Sequence, residues 1–323
     1  MELNRIVLGD ALERLKELPD ECIQMCVTSP PYYKLRDYGV DGQYGQEQTP
    51  EMYIRRLVTL FNEVKRVLKP SGTLWLNLGD SYWRSCRANK RKGYMRGRKA
   101  PTGFGKPIAC MDTVSKGIHS DLKNKDLIGL PWTVAFELRK AGWYLRQDII
   151  WFKPNAMPES TTDRCSKCHE YIFLLSKSTK YYFNYKAIQE SAAYDGRKVL
   201  INKGSPKYGK ASQGSLSRSH NRWQRDDMGN FVRNKRSVWV INLKPFMGGH
   251  YASFPETIPA ICIKASSKEG DIVLDPFMGA GTTAVAAKTL YRSYYGIEIN
   301  PEYINIAVRR LHDIFGLFYP GNG

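Results

Sequence analysis

Short apolar runs of strand length alternate with stretches of helical spacing along most of the 323-residue chain. Ile6-Val-Leu precedes a helical pattern over Ala11 to Leu18. Ile23-Gln-Met-Cys-Val27 precedes Met52 to Leu68, where Ile54, Leu57, Val58, Phe61, Val64 and Leu68 fall on one face, and Pro70-Ser-Gly72 ends that helix. Thr73 to Leu78 reads as a strand, Leu130 to Ala141 as a helix, and Trp143 to Phe152 and Tyr171 to Leu175 as strands. A helix over Ile258 to Ala265, a strand at Ile272-Val-Leu274, a helix over Thr282 to Thr289, a strand over Tyr294 to Ile299 and a helix over Pro301 to Leu311 complete the series. Such alternation predicts an α/β fold with a mostly parallel sheet covered on both faces. In such folds ligands bind at the carboxyl ends of strands, which directs attention to the loops found there.

Two of those loops carry chemistry. Ile272-Val-Leu-Asp275-Pro276-Phe277-Met-Gly279-Ala-Gly281-Thr282-Thr283 reads as strand, tight loop and helix start. Gly279 and Gly281 allow a sharp turn and close approach to a ligand, while Thr282 and Thr283 can cap the helix and offer hydroxyls. The next strand ends in Gly296-Ile-Glu298, and an acidic residue there typically holds ribose hydroxyls. Asp275 and Glu298 at adjacent strand ends therefore point to a nucleoside-bearing cofactor. Neither the dinucleotide glycine pattern nor a Walker loop is present. The second loop is Val27-Thr-Ser29-Pro30-Pro31-Tyr32. Its prolines stiffen an extended turn that displays the Ser29 side chain, the backbone carbonyls and the Tyr32 ring together. Such a turn can accept hydrogen bonds from an amino group while the ring stacks on a planar base.

Charge is unevenly spread. The chain carries 49 basic and 31 acidic side chains. Twelve basic against three acidic residues lie between Arg84 and Asp126, and eleven against three between Asp195 and Arg236. These two segments hold nearly the whole excess, and both read as loop-like insertions on a neutral scaffold. Tyr94, Phe104, Tyr208 and Trp223 are interleaved with the charge, which favours nucleic acid over a membrane surface. Neither segment has the apolar face of a membrane-lying helix. No run is long enough to span a bilayer, and Met1 to Asp20 has no apolar signal core, so a cytoplasmic protein is expected. Seven scattered cysteines argue against a disulfide framework. Cys165-Ser-Lys-Cys168-His169 has no second ligand pair at matching spacing, with Cys110 and His119 the only distant helpers, so no metal site is expected. The five histidines show no hydrolase triad pattern.

Taken together, the two loops resemble those of S-adenosylmethionine-dependent amino-DNA methyltransferases. Ser29-Pro-Pro-Tyr32 is similar to that family's catalytic motif, and Asp275-Pro-Phe-Met-Gly-Ala-Gly-Thr-Thr283 to its cofactor loop. A catalytic motif near the N-terminus and a cofactor loop near the C-terminus resemble the beta group, a circular permutation of the Rossmann-like methyltransferase fold. Gly9-Asp10-Ala-Leu resembles the motif whose acidic residue lies near the cofactor adenine. Gly72-Thr-Leu-Trp-Leu-Asn-Leu-Gly-Asp80 and Ile150-Trp-Phe-Lys-Pro-Asn155 resemble further core motifs, and His169-Glu-Tyr a structural entry to a core strand. Phe254-Pro-Glu256 resembles the segment beside the methionine end of the cofactor. The resemblance covers about 3–83, 127–185 and 237–312. It implies a catalytic half at 1–185 with a basic insertion at about 84–126, a target-recognition segment at 186–236 and a cofactor-binding half at 237–323. It also implies a prokaryotic or phage source.

What the resemblance implies for the reaction follows from the substrate. An exocyclic amine is a poor nucleophile because its lone pair is conjugated into the ring, and the base must first leave the duplex stack. The flipped base is expected to stack on Tyr32, its amino hydrogens bound by the Ser29 hydroxyl and the Pro30 carbonyl, with direct in-line transfer from S-adenosyl-L-methionine. No Pro-Cys dipeptide of the cytosine carbon-5 enzymes occurs. Serine in the first motif position resembles enzymes of the cytosine 4-amino group, with the adenine 6-amino group as the alternative. A catalytically silent DNA-binding protein and an enzyme acting on RNA or a small molecule are the competing readings. Double-stranded DNA is the expected partner; oligomeric state is left open.

Overall fold

The computed structural model describes residues 1–83, 121–192, 224–243 and 254–316. Tyr94, Phe104, Tyr208 and Trp223, with most of both basic segments, lie outside the described residues, as do Cys110 and His119. The chain forms two compact units, Met1–Phe183 with Ser237–Gly323, and Asn184–Arg236.

The larger unit is built on an eight-stranded sheet. Its strands are β1 (Arg5–Leu8), β2 (Ile23–Thr28), β3 (Leu68–Leu78), β4 (Tyr144–Phe152), β5 (His169–Ser176), β9 (Val238–Val240), β10 (Ile272–Asp275) and β11 (Ser293–Glu298). They lie in the order β1-β11-β10-β2-β3-β5-β4-β9. Every neighbouring pair is parallel except those of β5, which runs antiparallel to both β3 and β4.

Helices cover both faces, as the unbroken burial of β2 requires. Side chains of β3 show how. Leu74, Leu76 and Leu78 point into a core filled by α1 (Ala11–Lys16), α2 (Pro50–Val67) and α3 (Leu130–Lys140). Trp75, one residue out of phase, points the other way and donates its indole N–H to Ser266 Oγ, 2.8 Å away, at the end of α4 (Thr257–Ser266). On that face α4 packs against α5 (Thr282–Thr289). The helix starts have local causes. Thr49 Oγ1 accepts from Met52 N–H before Pro50 opens α2, and Asn300 does the same for Glu302 before Pro301 opens α6 (Pro301–Phe315).

Two expectations change. Helix α2 stops at Val67, ahead of Pro70, and β3 begins at Leu68 without a loop. Leu68 is already extended, and Pro70 pushes Lys69 out of helical geometry too. Thr282 and Thr283 do not cap α5: its N-cap is Gly281 at φ +79°, with no side-chain cap, and the threonine hydroxyls are used elsewhere.

The smaller unit contains a three-stranded antiparallel sheet in the order β6 (Glu190–Ser191), β8 (Phe231–Arg233), β7 (Gln224–Arg225). Loop-like sequence did not suggest it, because strands of two or three residues show no period. Glu190 draws Arg233 and Arg236 together at 2.9 and 2.6 Å, and the Arg225 guanidinium lies 4.1 Å from the Phe231 ring centre.

Gly281 gives a direct test of the packing. A Cβ there would sit 2.9 Å from the Ala307 Cβ of α6, on a backbone that side chains rarely adopt. Gly281→Ala is expected to lower stability by about 1–3 kcal/mol in urea denaturation.

Candidate active site

Because β1, β11, β10, β2 and β3 are adjacent and parallel, the loops leaving them gather along one edge. There they enclose a cavity of about 300 Å³. Asp10, Ser29, Pro30, Pro31, Tyr32, Phe254, Asp275, Pro276, Phe277, Gly279, Thr282, Thr283 and Glu298 all line it. Gly281 does not; its backbone freedom serves the approach of α6.

The two motif loops are tied to each other. Asp275 ends β10 with its carboxylate fully buried. Oδ1 accepts from the Thr28 hydroxyl at 2.6 Å and the Phe277 N–H at 3.0 Å, and Oδ2 accepts from the Thr283 hydroxyl at 2.6 Å. Thr28 immediately precedes Ser29, so one carboxylate joins the start of the Ser-Pro-Pro-Tyr turn to the start of α5. Burial pushes Asp275 up to about 6, against the pull of these three donors.

Glu298 holds the loop from the other side. Its carboxylate accepts from Gly279 N–H at 2.7 Å and Asn300 N–H at 2.9 Å, and burial pushes it up to about 7. Asp10 caps α1 through Leu12 and Glu13 N–H and lies 3.5 Å from Arg56. That arginine also stacks 3.8 Å above the Tyr44 ring centre and donates to the Gly42 and Gln43 carbonyls. Tyr44 in turn meets Phe277 edge-on at 5.1 Å, and Tyr38 meets Tyr303 at 6.0 Å. The segment after the Ser-Pro-Pro-Tyr turn thus forms an aromatic wall of the cavity, which no sequence motif indicated.

The turn is braced from below. Tyr53 of α2 donates its hydroxyl to the Pro31 carbonyl at 2.8 Å. A Cβ on Gly79 would come within 2.4 Å of the Tyr32 ring, so backbone packs directly against that ring. Beyond it lies a polar group to which the sequence pattern gives no function. The Tyr32 hydroxyl donates to Glu170 Oε2 at 2.6 Å and lies 3.2 Å from Asn77 Oδ1. The Asn77 side-chain amide also donates to Glu170 Oε2, at 3.2 Å, and Lys153 Nζ pairs with Glu170 Oε1. Burial, then the neighbouring Glu170 carboxylate, holds the Tyr32 phenol well above its ordinary pKa, so it stays protonated. Glu170, Lys153 and Asn77 all line the cavity.

A family model described as DNA methylase, for N6 and N4 methyltransferases, matches residues 23–309. The chain belongs to the N6/N4 DNA methylase family. It is 44% identical to the type II methyltransferase M.Cfr9I of Citrobacter freundii, over 96% of this chain and 89% of that protein. It is 42% identical to M.SmaI of Serratia marcescens, over 95% and 90%. The fold is that of TTHA0409 of Thermus thermophilus, described as a DNA modification methylase and solved with S-adenosyl-L-methionine (TM-score 0.59, 23% identity, 97% and 95% covered). It is also that of the PvuII DNA methyltransferase, described as cytosine-N4-specific (TM-score 0.60, 18% identity, 98% and 93% covered).

As an N6/N4 DNA methylase the chain uses S-adenosylmethionine as methyl donor, and the cavity suits it. Carboxylates at Asp10 and Glu298 can receive hydroxyl and amino groups, and the aromatic wall offers faces to adenine and to positive charge. Among the described residues no group of three His, Cys, Asp or Glu side chains could hold a metal ion, and no helix is long and apolar enough to cross a membrane.

Gly79 offers the test of the turn. Gly79→Ala is expected to displace the Tyr32 ring, cutting single-turnover methyl transfer about tenfold or more. Cofactor affinity, measured by calorimetry, should stay within twofold of wild type.

Proposed function

We propose that this methylase transfers a methyl group to the 4-amino group of a cytosine flipped out of double-stranded DNA, as the modification enzyme of a type II system. One observation carries the reading: the Ser29-Pro-Pro-Tyr32 turn and the Asp275–Thr283 loop line a single cavity and share the Asp275 carboxylate. The serine in the turn supports cytosine, as does the cytosine-N4 specificity named for the PvuII enzyme of the same fold.

S-adenosylmethionine supplies an electrophilic methyl on a sulfonium centre. The chain's residues do the rest by position. Tyr32, clamped by Gly79 and Glu170, presents a fixed ring on which the flipped base stacks. Ser29 Oγ and the Pro30 carbonyl bind the amino hydrogens, favouring a pyramidal nitrogen whose lone pair points at the methyl. Glu298 would accept from the ribose hydroxyls and Asp10 would serve the adenine end, with Phe254, Pro276 and Phe277 lining the rest of the cavity. Asp275, Gly279, Thr282 and Thr283 shape the loop beneath the cofactor. Residues 186–236 carry target recognition, and the basic excess of the two insertions supplies phosphate contacts.

Labelled-methyl transfer to unmethylated DNA, followed by mass analysis of nucleosides, tests the reading. The expected product is 4-N-methyldeoxycytidine; 6-N-methyldeoxyadenosine would keep the site and overturn the base assignment. Ser29→Ala should lower the transfer rate at least about tenfold. A second test concerns Glu298. Its carboxyl, raised to about 7, accepts more strongly from ribose when ionised, so the Kd for S-adenosylmethionine should rise as pH falls from about 8 to about 6. Glu298→Gln should flatten that dependence.

A further inference from the structure

Methylating an amine leaves a proton to dispose of. Once nitrogen has bonded to the transferred methyl it carries one proton too many, and a buried site needs a group to receive it. Ser29 is a neutral hydroxyl and cannot keep that proton. What lies behind it is a short hydrogen-bonded chain. Ser29 Oγ donates to Tyr32 Oη at 3.4 Å, and Tyr32 Oη donates to Glu170 Oε2 at 2.6 Å.

Glu170 is held as an acceptor. Its side chain is 14% exposed, and Lys153 Nζ, also 14% exposed, pairs with the oxygen that Tyr32 does not use. Asn77 fixes the other oxygen, and its own carbonyl oxygen lies 3.2 Å from the Tyr32 hydroxyl. Lys153 is anchored by an ammonium–ring contact, 4.3 Å from the Trp151 ring centre. A surface ion pair would be worth little here. A nearly buried pair whose carboxylate also accepts from a phenol at the cavity wall is a costly arrangement for structure alone.

We propose that Glu170 is the proton acceptor of the methyl-transfer reaction, reached from the target amine through Ser29 and Tyr32. The proposal rests on the reading above that seats the target amine at Ser29. The amine lone pair forms the new nitrogen–carbon bond while the carbon–sulfur bond of the donor breaks, its electron pair staying on sulfur. One nitrogen–hydrogen bond breaks and its proton passes to Ser29 Oγ. The Ser29 hydroxyl proton passes to Tyr32 Oη, and the Tyr32 phenol proton passes to Glu170 Oε2. Serine and tyrosine end as they began, the methylated amine is neutral, and Glu170 is a neutral acid. Its proton returns to solvent once product leaves the cavity that Glu170 and Lys153 line.

The test combines single-turnover transfer with cofactor binding on the full chain. Tyr32→Phe keeps the stacking ring against Gly79 and removes the hydroxyl that links Ser29 to Glu170. Glu170→Gln removes the acceptor, and Glu170→Gln with Lys153→Met does so without stranding an ammonium. Each is expected to slow transfer about 100-fold, within the usual range for general-base catalysis. Affinity for S-adenosylmethionine and KM for DNA should stay within twofold. Because all three break one chain, adding Tyr32→Phe to Glu170→Gln should cost little more than either alone. Formate should restore part of the rate to Glu170→Ala, which a merely structural loss would not allow. Tyr32→Phe and the double variant both transferring within twofold of wild type, while Ser29→Ala is slow, would overturn the relay and leave the proposed site standing. Ser29→Ala at full rate would overturn the seating of the amine instead.

Discussion

The Asp275 carboxylate is the joint on which the site depends. It ends β10, and its three partners come from three places: the end of β2, its own loop and the first turn of α5. Thr28 and Thr283 are 255 residues apart in the chain, yet their hydroxyls meet the same side chain. Holding a carboxylate in a dry site is costly, and the upward push to about 6 expresses that cost. The folded protein therefore binds this proton more tightly than the unfolded chain does. Asp275's contribution to stability is greatest below about 4 and falls as pH rises toward about 6. The cost is offset by what the carboxylate organises: the turn that presents Ser29 and Tyr32 cannot shift without moving the loop that ends in Gly281.

A second constraint comes from one reversed strand. All strands near the site run the same way except β5. Its reversal carries its first residues, rather than its last, to the edge where the other strands end. His169 pairs with Phe152 and Glu170 with Trp151, so Glu170 arrives beside Lys153 and behind Tyr32. A rule that looks for site residues just after strands passes over a residue at the start of one. In sequence Glu170 therefore reads as an entry to a core strand, although its place in the sheet makes it part of the cavity.

The same distinction separates what the amino-acid order reveals from what it hides. Strands β2 and β10 and helices α2 and α6 are legible because their burial is periodic or continuous. The Gly279–Gly281 loop and the Ser-Pro-Pro-Tyr turn are legible because local backbone needs dictate their residues. The aromatic wall is not. Tyr38 and Tyr44 acquire meaning only through Tyr303, Phe277 and Arg56, which reach them from distant segments. Gly79 looks like any glycine after a strand until the Tyr32 ring is placed against it. The threonines after Gly281 carry the right signal and the wrong use: they are good capping residues, but a buried carboxylate offers Thr283 a stronger partner than the helix end does.

Charge divides the molecule along the same line. Nearly all of the basic excess lies in 84–126 and 195–236, while the scaffold that carries the cavity is close to neutral. Attraction to a polyanion is long-ranged and indifferent to base identity. Methyl transfer depends instead on placement within the reach of a hydrogen bond. A cavity wall rich in arginine and lysine would hold phosphate where a neutral base must sit, and would repel a sulfonium. Keeping most positive charge in the insertions leaves the cavity mainly to carboxylates and aromatic faces, with Arg36 and the paired Lys153 as basic side chains in its lining. In the proposed reaction that lysine holds one oxygen of the Glu170 carboxylate, leaving the other turned to the Tyr32 hydroxyl.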